Sequence, residues 1–153
     1  MIEHSPNSTV LIAEQPMQLG RYSPVQQGVD PQMILVAGPF RSGTDDDPWR
    51  IEANEAVMTE ISLRLFRAGH LPVMGEWFAF PLIEHAGGGL IGDAIYGEIF
   101  HPIARRLVEK CDAVLRVGGP SDGADEMVVI AWRLGKKTYF ALEDVPPARK
   151  PIS

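Results

Sequence analysis

Apolar positions along this chain fall into two patterns: short unbroken runs closed by Gly or Pro, and longer stretches in which they return every three or four residues. Met33-Ile34-Leu35-Val36-Ala37, closed by Gly38-Pro39, is of the first kind and predicts a strand buried on both faces. Asp47 followed by Pro48 marks a helix start, and Ile51, Asn54, Met58, Ile61 and Leu65 then follow at helical spacing until Gly69. His70 to Met74 predicts a second strand, at a sheet edge because Pro72 has no N–H to donate. Glu76 to His85 is aromatic and apolar without a clean period, which predicts a loop with a short helix before the break at Gly87-Gly88-Gly89. Asp93 then suits the cap of a helix whose apolar face is Ile95, Ile99, Ile103 and Leu107, bent near His101 by Pro102. Ala113 to Val117 predicts a third strand, Gly118 to Gly123 a loop, Ala124 to Leu134 a helix stopped by Gly135, and Thr138 to Ala141 a fourth strand.

Strands alternating with helices imply right-handed crossovers. The expected architecture is therefore a three-layer, Rossmann- or flavodoxin-like α/β domain over residues 33–144, with a parallel sheet of four to five strands and helices on both faces. Residues 1–32, rich in Pro, Gln and Ser, predict an arm or tail, poorly ordered or packed on a partner. Residues 145–153, with Pro146, Pro147 and Pro151, predict a tail trailing over the surface. In such sheets ligands bind outside the carboxyl ends of the strands, where the strand order reverses. Three loops would meet there: Gly38 to Asp47, Gly75-Glu76-Trp77, and Gly118 to Gly123.

Composition narrows the field of partners. A hydrophobic fraction of 45% in 153 residues supports one sizeable core, while a formal net charge of -6 argues against binding a nucleic-acid polymer. The chain holds neither a membrane-spanning apolar run nor a secretion signal, and its lone Cys111 cannot form an internal disulfide, so a cytoplasmic protein is expected. Asn7-Ser8-Thr9 carries little meaning without export. His70, His85 and His101 lack metal-like spacing with acids or cysteine, so neither a metal nor another cofactor is expected.

The loop after the first strand carries the strongest chemical signal. Gly38, Pro39, Phe40, Arg41, Ser42 and Gly43 combine open backbone, a hydroxyl and a guanidinium near a helix start, which suits an anion and above all a phosphate. The spacing fits neither a dinucleotide fingerprint nor a P-loop. The plainer reading is a tight turn in which Arg41 merely neutralises Asp45, Asp46 and Asp47. Ser121 and Gly123 open onto another helix and suit a second part of the same ligand. Glu76 beside Trp77 offers a carboxylate and a flat ring for a base, although Trp77 and Phe78 equally suit core or dimer contacts. Asp125 and Glu126 are favoured in a first helical turn whatever their function, and Asp112, at the start of the third strand, lies away from the carboxyl edge.

The set Ala37-Gly38-Pro39-Phe40, Cys111-Asp112-Ala113-Val114, Ser121-Asp122-Gly123 and Leu134-Gly135-Lys136 resembles the nucleoside 2-deoxyribosyltransferase-like superfamily, which includes nucleotide N-glycosidases. The resemblance covers roughly residues 33–141. It implies that Arg41, with Ser42, binds a 5′-phosphate, that Ser121 and Gly123 contact it too, and that Asp112 is an acidic residue near the sugar. It further implies cleavage of the base–sugar bond by a carboxylate nucleophile, with a glycosyl-enzyme intermediate, or else nucleotide binding by the same fold without catalysis. It also implies a homodimer or larger homo-oligomer. One position departs from the pattern: counting from Ser121 and back from Gly135-Lys136 places Met127 where the nucleophile should stand. Glu126 and Asp125 are the substitutes the resemblance leaves for that role, with Asp112 or Glu76 to position the sugar or protonate the base.

Overall fold

The computed structural model describes residues 28–89 and 94–150. The sequon, residues 1–27 of the expected arm, residues 151–153 of the expected tail and the expected cap Asp93 lie outside the described residues. Four parallel strands, β1 (Met33–Ala37), β2 (Leu71–Val73), β3 (Ala113–Arg116) and β4 (Lys137–Tyr139), form one sheet in the order β2-β1-β3-β4. Four helices accompany them: α1 (Pro48–Arg67), α2 (Gly75–His85), α3 (Ala94–Lys110) and α4 (Asp122–Arg133). The parallel α/β architecture expected from the alternation of patterns is the one the chain adopts, and Pro72 sits in the edge strand.

The two faces of β1 explain its unbroken apolar run. Ile34 and Val36 pack with Met58 and Leu65 of α1, whereas Leu35 and Ala37 pack with Ala104 and Val108 of α3 and with Met127, Val128 and Ala131 of α4. The sheet is thus covered on both sides, as parallel sheets require. The chain leaves β1 toward β2 on one side and crosses back to β3 on the other, so the strand order reverses between β1 and β3 and their carboxyl-end loops border a crevice.

Several elements differ from the sequence expectation. Gly75–His85 is an 11-residue helix throughout rather than a loop with a short one. Its period was masked because Trp77, Phe78 and Leu82 leave the outer face apolar, while Ala79 and Ile83 are buried on the inner one. Pro102 does not split α3, and the fully buried positions of that helix are Ala104 and Val108, one position on from the expected Ile103 and Leu107. The single missing N–H frees the carbonyl of exposed Glu98, which solvent can satisfy.

Residues 145–150 do not trail over the surface. Val29 pairs with Ala148 in an isolated parallel bridge, Ala148 donates to the carbonyl of Ala68, and Arg149 pairs with Asp30 at 3.0 Å. Buried His70 ties the two ends together: its Nδ1 accepts the Gln32 N–H and its Nε2 lies 2.7 Å from the carbonyl of Pro146. Both ends of the described chain are thereby fixed at one flank, leaving the opposite, carboxyl edge of the sheet to the loops.

Candidate functional site

The loops after β1 and β3 touch. A side chain at Gly38 would run into the carbonyl of Val117 at 2.9 Å, and Gly118, with φ +78°, lies where a side chain would strike Pro39 at 2.7 Å. Glycine is required at both places by this approach. Beyond the contact the loops part around a cavity of about 140 Å³, close to the volume that admits one six-membered ring. Gly38, Phe40, Arg41 and Ser42 line one side and Ser121, Gly123 and Met127 the other. The two glycine-bearing loops therefore face one cavity.

Each loop is held in shape by its own polar network. Thr44, almost wholly buried, donates its hydroxyl to the Arg41 carbonyl, and Asn54 of α1 donates to the carbonyl of Phe40 at 3.1 Å. Arg41 grips Asp46 at two points, Nε to Oδ1 at 2.6 Å and Nη2 to Oδ2 at 3.2 Å. That hydrogen-bonded pairing holds the Asp46 carboxyl below its ordinary pKa and the guanidinium above its own. Arg41 thus pairs with Asp46 while also lining the cavity, and Asp45 and Asp47 approach Arg50 instead, at 3.6 and 3.7 Å. In the second loop Arg116 donates to the carbonyls of Val117 and Gly119 and to Asp125 at 2.8 Å. Ser121 caps α4 by accepting the Ala124 N–H at 3.2 Å, and no atom lies within 4 Å of where a Gly123 side chain would stand, so the backbone there is open to a ligand.

Glu76, in the first turn of α2, is the one carboxylate on the cavity wall among the described residues. It is 7% exposed, and burial pushes its pKa up from 4.5 to about 7, opposed by its own backbone N–H and reinforced by the nearby Glu55 charge. Tyr96 on α3, also on the wall, is raised to about 12, first by burial and then by the Glu76 charge. Aromatic rings line the apolar side of the cavity: Phe40, whose centroid lies 5.0 Å from that of Phe80, and Tyr96, stacked on Phe100 at 5.1 Å.

The other acids expected at the site lie elsewhere. Asp125 is drawn to Arg116, and Glu126 to Arg105 at 2.7 Å, so neither lines the cavity. Met127 does line it, because neighbouring helical residues point about 100° apart. Asp112 sits at the amino edge of the sheet, where its Oδ2 accepts the Met33 N–H at 2.8 Å. Pro39, Gly43 and Trp77 are likewise absent from the cavity wall, and Trp77 is 44% exposed on α2.

The sequence missed Tyr96, Phe100 and His101 of α3 as wall residues. The available signal was the spacing of Tyr96, Phe100 and Ala104, which places an aromatic stripe on the amino-terminal half of a helix that begins near the ligand edge. His101 lies on the wall with Glu126 behind it, Nδ1 to Oε2 at 3.9 Å. Among the described residues no three His, Cys, Asp or Glu side chains converge as a metal ion would need, and no helix is long and apolar enough to cross a membrane. No family model matches the chain, and no curated protein matches it in sequence.

Proposed function

We propose that the protein is a nucleotide or nucleoside N-glycosidase of the deoxyribosyltransferase-like kind, acting in the cavity beneath the β1 and β3 loops. The observation that supports this reading is the joining, in one cavity, of a guanidinium and two hydroxyls with a buried carboxyl: Arg41, Ser42 and Ser121 beside Glu76 with its pKa near 7. The enclosed volume suits the sugar or one ring of the base, with the phosphate at Arg41 and the rest of the ligand at the open mouth. Near neutral pH Glu76 exists in both protonation states, which suits a general acid. Its proton passes to a nitrogen of the base as the C1′–N bond breaks and its electron pair leaves with the base. Water adds to C1′, and the proton it sheds goes to His101 or to solvent. A covalent intermediate on Glu126 or Asp125 does not form part of this scheme, since both side chains lie off the cavity wall.

The test is incubation with a panel of nucleoside monophosphates and nucleosides, read by chromatography for free base. Release is expected, falling by about 10²–10⁴-fold in Glu76→Gln, while Arg41→Ala removes the nucleotide-induced thermal shift. A second reading, nucleotide binding without chemistry, is favoured by the thioether of Met127 on the wall. Thermal shifts without any released base would select it, and the absence of both shift and product would reject both readings. Self-association, which the resemblance implies, is checked in the same preparations by sedimentation.

A further inference from the structure

We propose that Asp46 is a built-in competitor for the ligand's phosphate, occupying the Arg41 fork in the free protein and giving way only to a group of higher charge. The inference rests on the reading of Arg41 as the phosphate contact and adds what decides between phosphorylated and unphosphorylated ligands.

Two-point contact is what identifies Asp46 as a stand-in. Its two oxygens take Nε and Nη2 of Arg41 at 2.6 and 3.2 Å, the same edge-on geometry by which a guanidinium grips two phosphate oxygens. The loop is built to deliver it. Asp45 and Asp46 adopt φ of 50° and 60°, the left-handed region that few residues other than Gly, Asn and Asp enter readily. The buried Thr44 hydroxyl accepts the Asp46 N–H at 3.3 Å while donating to the Arg41 carbonyl, so one side chain braces both partners.

Nothing holds the pair permanently closed. The two side chains are 40% and 54% exposed, and an ion pair so placed is screened and weak. A carboxylate brings one charge, whereas a phosphomonoester at pH 7 brings about -1.5 to -2 and three acceptor oxygens. The phosphate therefore wins the exchange, and a sugar hydroxyl, which is neutral, does not. Asp46 sets a threshold that admits phosphorylated ligands to Arg41 and leaves the arginine neutralised otherwise.

Asp46→Asn and Asp45→Asn form the decisive comparison. Both remove one negative charge from the same loop and retain a residue tolerant of left-handed backbone. Asp45, however, approaches Arg50 at 3.6 Å, with its side chain 94% exposed. Affinities for nucleoside 5′-monophosphates, the matching nucleosides and inorganic phosphate are measured by calorimetry on the full chain. Asp46→Asn is expected to tighten monophosphate and phosphate binding by roughly three- to tenfold, through loss of the competing pair and of the displaced carboxylate's repulsion. Nucleoside affinity stays unchanged, and Asp45→Asn gives a smaller effect. Equal gains in the two variants, or no gain in Asp46→Asn, would overturn the proposal. Tighter phosphate binding by Asp46→Asn in a protein that takes no nucleoside or nucleotide would support the competitor and sink the glycosidase reading. Binding of neither phosphate nor nucleotide by any variant would sink both.

Discussion

Glu76 shows how a single side chain carries both a cost and an opportunity. Its carboxyl is buried beside Tyr96 and within reach of the Glu55 charge, so the folded protein holds the proton that an unfolded chain would release near pH 4.5 until about pH 7. Between those values the native state binds more protons than the unfolded state, and stability therefore falls as pH rises. The loss should total about 3 kcal/mol between pH 4 and pH 8. Glu76→Gln has no such proton to lose, so denaturant unfolding of this variant is expected to vary less steeply across pH 5 to 8. Parallel pH profiles for the two proteins would mean that Glu76 is ionised and hydrated, and that would remove the basis for its acid role. The sequence placed Glu76 at the right edge of the sheet, next to the loop after β1. Its burial was not legible there, because the walls that desolvate it come from α3 and from Phe40, distant in sequence.

At the scale of elements, local chemistry was most readable where it acts on its own backbone. Asp47 accepts the Trp49 N–H at 3.0 Å and Pro48 opens α1, as the pair of residues predicts. Asp47→Ala is expected to cost about 1 kcal/mol in denaturant titrations, with ligand binding retained because Asp47 does not line the cavity. An equal loss of binding would show instead that the cap also sets the Arg41 loop. The helices misjudged from sequence are those whose faces answer to something other than a single core. In α2 the outer side is apolar, and in α3 the amino-terminal half turns aromatic residues toward the cavity while the remainder packs on the sheet. Periodicity reports only that one side differs from the other, so a helix with two apolar sides, or with two tasks along its length, blurs the signal.

For the molecule as a whole, His70 joins two segments far apart in sequence at the flank away from the cavity. The Gln32 N–H donates to Nδ1 of His70 and Nε2 lies 2.7 Å from the carbonyl of Pro146, so the ring bridges the segment before β1 to the segment after β4. His70→Leu would leave a backbone donor and a backbone acceptor without partners and is expected to destabilise by roughly 2–4 kcal/mol. Limited proteolysis should then cut first near Pro146-Pro147. Unchanged stability would show that the clamp is incidental. Sequence by itself determined the order of strands and helices, the Asp47 cap of α1, the edge position of β2 and the two glycine-bearing loops, because each follows from a few neighbouring residues and the period of their burial. Tertiary structure alone decided that Glu76 faces the cavity while Asp125 and Glu126 turn to Arg116 and Arg105, and that Asp112 serves the far edge of the sheet. The physical reason is range: a helix or turn is set by contacts a few residues apart, whereas which carboxylate loses its water and which finds a cation depends on segments that only folding brings together.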